Sequence, residues 1–163
     1  MGQFNKIIII DFEASGLHSD SYPTEIAWID PVLDEKATSY LIKPSKKWLD
    51  SRWDYQAEKI TGISQKMIVS NGSPIRDVAQ KTQAVLSQAD VILSDAPDWD
   101  RNWLMALLEA ARMDIPIPSF TELHSFIRTE FDRDIYFEGE ATHRAGKDVE
   151  QMAAAFNMAA YRA

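Results

Sequence analysis

The sequence predicts an α/β domain built around a mixed β-sheet. Three observations carry that reading. Strand-like segments crowd the first quarter of the chain, helical periodicity then alternates with a further strand, and the late helices each carry one apolar stripe. At 163 residues the chain is expected to form one domain over 1–163, because that length buries a single sizeable core and leaves too little for a second.

The first strand is read over Lys6 to Asp11, where the consecutive β-branched residues Ile7 to Ile10 suit a strand buried on both faces. Glu25 to Asp30 and Ala37 to Ile42 follow as strands, closed by Pro31 and Pro44, and their short connections predict an antiparallel meander. A short helix is expected near Trp53 to Ile60, broken at Gly62. A second runs from Ile75 to Ser87 with Val78, Thr82, Val85 and Leu86 as its stripe. Ala89 to Ser94 reads as a fourth strand and Trp99 to Met113 as a strong helix. Ile115-Pro-Ile-Pro118 stops that helix and offers a short fifth strand. Phe120 to Phe131 is expected to be helical, the acidic stretch Asp132 to Glu140 a loop, and Ala145 to Tyr161 a closing helix.

Composition narrows the chemistry. A hydrophobic fraction of 45% with 26% charged residues predicts a folded core rather than disorder. No cysteine occurs, which excludes disulfides, thiolate metal sites and cysteine nucleophiles and suits a cytoplasmic location. The run Ile7 to Ile10 is far too short to span a bilayer, so no membrane partner is expected. The net charge of −8, from 17 basic and 25 acidic residues, predicts weak rather than tight grip on a polyanion. Carboxylates that hold divalent ions count as acidic in the sequence while being neutralised in a working site.

Asp11 and Glu13 stand two apart at the end of the first strand, so both project from one face while Phe12 points the other way. An isolated D-x-E is more often a solvated strand end than a metal cradle. Asp100 is more telling, since spacings of three, four, seven and eleven place it on the apolar face of Trp103, Leu104, Leu107 and Ala111. A carboxylate aimed at a core is costly unless compensated. Its bland reading is a first-turn acid favoured by the helix dipole, with Asp98 as the N-cap. Asp148 shares the inward side of the last helix, beside the stripe of Val149, Met152 and Phe156. His143 lies five residues earlier, in the loop before that helix, whereas His18 and His124 read as surface residues. Trp28 and Trp103 read as core. Trp48, Trp53 and Trp99 could reach a ligand, with core the better reading of each.

Asp11-Phe-Glu13 followed by Ala-Ser-Gly-Leu17, Trp99-Asp100 before an apolar helix, and His143-Arg-Ala-Gly-Lys-Asp148 together resemble the three motifs of the DEDDh exonucleases. That group contains ribonuclease T, oligoribonuclease and the proofreading subunit of the replicative DNA polymerase. The H-x-x-x-x-D spacing discriminates best. Pro23-Thr-Glu-Ile26, Thr61-Gly-Ile-Ser64 and Gly72-Ser-Pro74 add weaker matches, so the resemblance runs in motif order over roughly residues 6 to 160. Two departures stand out. Ser94-Asp-Ala-Pro-Asp-Trp-Asp100 offers three aspartates where the family usually has one, leaving Asp95 and Asp98 as competitors of Asp100. Ala14 and Ser15 stand where many members have Thr.

The resemblance implies a ribonuclease H-like fold, a mixed five-stranded sheet flanked by helices. It also implies a metal-dependent 3′ to 5′ exonuclease acting on single-stranded DNA or RNA 3′ ends and releasing nucleoside 5′-monophosphates. Four carboxylates in one cleft would repel one another until divalent cations neutralised them, and with no thiols available the expected ions are Mg²⁺ or Mn²⁺, two per site. By resemblance Asp11 bridges the ions, Glu13 and Asp148 complete the water-activating site, Asp100 orients metal-bound water, and His143 takes the proton. Phe12, Ala14, Ser15, Gly16 and Leu17 are expected to hold the terminal nucleotide. A homodimer is a weak expectation from the same family. Two rivals are a retired nuclease fold that binds proteins, and a phosphodiesterase acting on small dinucleotides.

Overall fold

A computed structural model describes residues 4–135 and 142–161. Five strands form one mixed sheet in the order β3-β2-β1-β4-β5: β1 (Ile7–Ala14), β2 (Pro23–Ile29), β3 (Thr38–Leu41), β4 (Val91–Ser94) and β5 (Thr121–Glu122). The first three pair antiparallel, as the short connections require, while β4 joins β1 in parallel and β5 joins β4 in parallel. The expected meander and the fourth strand are both present. The fifth strand is not Ile115 to Pro118, whose two prolines cannot donate to a ladder. It forms instead at Thr121–Glu122, opposite Leu93 and Ser94.

Among the described residues the helices are α1 (Lys46–Leu49), α2 (Tyr55–Thr61), α3 (Gln65–Asn71), α4 (Ile75–Leu86), α5 (Pro97–Ala110), α6 (Leu123–Phe131) and α7 (Ala145–Tyr161). The short α1 and α3 were not expected, although Ser45 and Ser64 cap them by accepting from Trp48 and Met67 backbone N–H groups. Gly62 ends α2 in the left-handed region at φ 68°, the conformation only glycine adopts at no cost. Asp98 is not a cap. Pro97 occupies the first turn of α5, where its missing N–H costs nothing, so the helix starts earlier than Trp99 and leaves Asp98 inside it, exposed. The loop expected over Asp132 to Glu140 is seen to 135, and residues 136–140 lie outside the described chain.

Alternation along β1 divides the core in two. Ile8, Ile10 and Phe12 pack with Trp28, Ile68, Val78, Trp103, Leu104 and Leu107 on one face of the sheet. Ile9 packs with Leu93, Phe126, Val149, Met152 and Phe156 on the other. The strand is therefore buried on both faces, as its isoleucine run implies. Asp11 and Glu13 continue the parity of Ile9, which turns them toward α7. Among the described residues no helix is long and apolar enough to cross a membrane.

Candidate active site

The carboxyl ends of β1 and β4 open into a cleft of about 520 Å³ lined by Asp11, Glu13, Asp95, Asp100, His143 and Asp148. Three chain regions meet there. Ligand oxygens of Asp11, Glu13 and Asp148 lie within 4.8 Å of one another, and so do those of Asp11, Asp95 and Asp100. Asp11 belongs to both trios.

Asp100 and Asp148 are each held by hydrogen bonds from nearby residues. Asp100 is 2% exposed at the start of α5, where its carboxylate accepts from the Ser94 hydroxyl at 2.5 Å and from the backbone N–H of Phe12. The Ser94 hydroxyl in turn accepts from the Ala96 N–H at 2.9 Å, which fixes the turn between β4 and α5. Asp148 accepts from both the backbone N–H and the hydroxyl of Thr142, at 2.9 and 2.8 Å. His143 is exposed, with φ 53°, in the segment leading into α7. The choice between Asp95 and Asp100 has no single answer in the geometry, since both face Asp11, while Asp98 lines no part of the cleft.

The electrostatics are those of several carboxylates crowded together away from water. Burial pushes Asp11 well above the ordinary carboxylate range, and the neighbouring charges of Asp100 and Glu13 push it further. Glu13 rises to about 8, chiefly through burial and then through Asp148 and Glu25. Asp100 rises to about 7 through burial, against the opposing pull of the Ser94 hydrogen bond. Five carboxylates and no thiolate form an all-oxygen donor set, the kind that hard divalent cations take. The residues present fit such ions.

Of the residues expected to hold a nucleotide, Phe12, Ala14, Gly16 and Leu17 line the cleft. Ser15 does not. It is buried, its N–H donating to the Tyr22 carbonyl and its hydroxyl accepting from the Tyr22 N–H, so it staples the turn after β1. Trp48 is buried and stacked on Tyr22. Trp99 is 46% exposed, stacks on Trp103 with ring centroids 5.8 Å apart, and both rings line the cleft. The apolar rim is completed by Leu17, 73% exposed, and by Ile60 of α2, 57% exposed. His18 is half-buried rather than on the surface.

Sequence reasoning missed Ser94, Thr142, Ile60 and the ion pair of Glu25 with Arg144. Only the last had a visible signal, an acid just ahead of the apolar run Ile26 to Ile29 in one strand.

A mixed five-stranded sheet in this order, flanked by helices, is the ribonuclease H-like fold. Solved structures of E. coli exonuclease I share it. The zinc-bound complex of that enzyme with single-stranded DNA superposes with a TM-score of 0.77 at 17% identity, over 98% of this chain and 41% of that one. Its complex with a dA16 oligonucleotide gives 0.71 at 16%, over 96% and 42%, and that with dT13 gives 0.69 at 15%, over 91% and 39%. This chain thus spans about two fifths of the length of the enzyme it matches. No family model matches the sequence, and no curated protein does.

Proposed function

We propose that the protein is a metal-dependent 3′ to 5′ exonuclease that hydrolyses the terminal phosphodiester bond of single-stranded nucleic acid. The observation that carries this reading is the meeting of two carboxylate trios at Asp11, in the same cleft that His143 lines. Among the described residues no Lys or Arg lines that cleft, and Arg144, whose charge eases Glu13 from outside it, is paired with Glu25, so repulsion among the acids is only partly offset without a cation. The single-stranded DNA bound in the exonuclease I complexes suggests the substrate class.

Asp11, Glu13 and Asp148 would hold one divalent cation, and Asp11 with Asp100 and Asp95 a second; Mg²⁺ or Mn²⁺ is the proposed identity. Such ions, when bound, lower the pKa of water and stabilise the leaving 3′ oxygen. The chain supplies the rest. His143 accepts the proton of the attacking water, its open position letting it shed that proton to solvent. Leu17, Ile60 and Trp99 grip the terminal base by stacking and apolar contact, which tolerates any base. The products are nucleoside 5′-monophosphates.

The test is an assay of purified protein on matched RNA and DNA oligomers labelled at the 5′ end. A ladder shortening from the 3′ end, abolished by chelator and by Asp148→Ala, is expected. Undiminished cleavage by Asp148→Ala would refute the assignment.

A further inference from the structure

His143 sits between two anchored neighbours. On one side Thr142 is tied to Asp148 through two hydrogen bonds. On the other, Arg144 forks onto the carboxylate of Glu25, with Nε donating to Oε2 at 3.0 Å and a terminal guanidinium nitrogen donating to Oε1 at 2.7 Å. The same Oε2 accepts from the backbone N–H of Ala145 at 3.0 Å, which satisfies an otherwise orphaned donor at the start of α7. Glu25 is 3% exposed and lies in β2 directly opposite Glu13 of β1. One buried carboxylate thus ties the segment carrying His143 to the strand rung that carries a proposed cation ligand.

A left-handed backbone at a non-glycine residue persists only where its surroundings hold it. His143 has that backbone, and its side chain is exposed, so its position is set through its flanking residues rather than by packing of the ring. The planar guanidinium fork fixes direction as well as distance, which an ammonium cannot do. An ion pair serving the fold alone could sit on any rung of the sheet. This one joins the residue after His143 to the partner of Glu13.

We infer that Glu25 and Arg144 are positioning residues, whose forked pair sets His143 against the acid cluster. This rests on the reading of His143 as the proton acceptor. A displacement of about 1 Å at a reacting group costs on the order of 100-fold in rate. Arg144→Ala is therefore expected to lower kcat about 100-fold on a single-stranded oligomer with KM nearly unchanged. Arg144→Lys, which keeps the charge and loses the fork, should recover part of that loss.

The deciding measurement is a double-mutant cycle of Arg144→Ala with His143→Ala, together with the melting temperature of each variant. If Arg144 acts through His143, the double variant is as slow as His143→Ala alone. Losses that multiply, or a fall in activity that only tracks the melting temperature, would overturn the inference. Glu25→Gln guards against a variant that does not fold, since its amide oxygen still accepts from Ala145; it too should fall in kcat and be masked by His143→Ala. Full activity of His143→Ala would instead remove the proton acceptor itself. A slow His143→Ala beside a fully active Arg144→Ala would remove the positioning pair alone.

Discussion

The two halves of β1 are built to opposite ends. Ile8, Ile9 and Ile10 are buried on both faces of the sheet and join its two cores. One residue further, Asp11 and Glu13 sit among other acids with their carboxyl groups pushed toward the neutral form. The first half contributes the burial energy that holds the strand in register, and the second uses that register to keep like charges together. A strand less firmly seated would let the acids part.

The contrast is broken most sharply by exchanging charge for its absence. Asp11→Asn is expected to lower turnover by about three orders of magnitude or more while raising the melting temperature of the chelated protein, because it removes a buried like charge. Ile9→Ala should do the reverse. It would cost roughly 2 to 5 kcal/mol, and thus lower the melting temperature by about 5 to 15 °C, while the rate per folded molecule changes little. Equal stability losses from both variants, read by thermal unfolding in chelator, would erase the distinction between the halves.

The pH dependence sharpens it further. Glu13 at about 8 and Asp100 at about 7 lie above the values these groups take in an unfolded chain. Between about pH 4 and pH 8 the native state therefore binds more protons, and the stability it gains from holding them is lost as pH rises through the folded values. Melting temperature in chelator should fall across that window, and saturating Mg²⁺ should flatten the fall. At a hundredfold excess over its dissociation constant a ligand adds about 2.7 kcal/mol. A profile independent of both pH and metal would contradict the electrostatics described here. Smaller in effect, Trp99→Ala should raise KM for a single-stranded oligomer roughly fivefold or more, as the loss of one stacked base predicts.

Much of this was legible in the chain because it follows short-range rules. The isoleucine run marks β1, alternation puts Asp11 and Glu13 on one face, and helical spacing puts Asp100 on the face of Trp103 and Leu107. What escaped depends on partners far away in sequence. β5 is two residues long and exists because β4 offers it an edge, not because Thr121 and Glu122 favour a strand. Ser15 resembles a substrate contact by motif, yet its hydrogen bonds go to Tyr22. Asp95 and Asp100 compete as alternatives in a linear motif, whereas the β4 to α5 turn brings both to Asp11. Glu25 reads as one polar residue in a strand until Arg144, 119 positions later, is seen against it.

The most direct measurement is a calorimetric titration of the metal-free protein with Mn²⁺ near pH 7.5, in parallel with Asp11→Asn. Because Asp11 is shared by both trios, the wild type is expected to take up two ions and the variant to lose affinity at both positions together. A wild type that binds no Mn²⁺, or a variant that binds it as tightly as the wild type, would contradict the account.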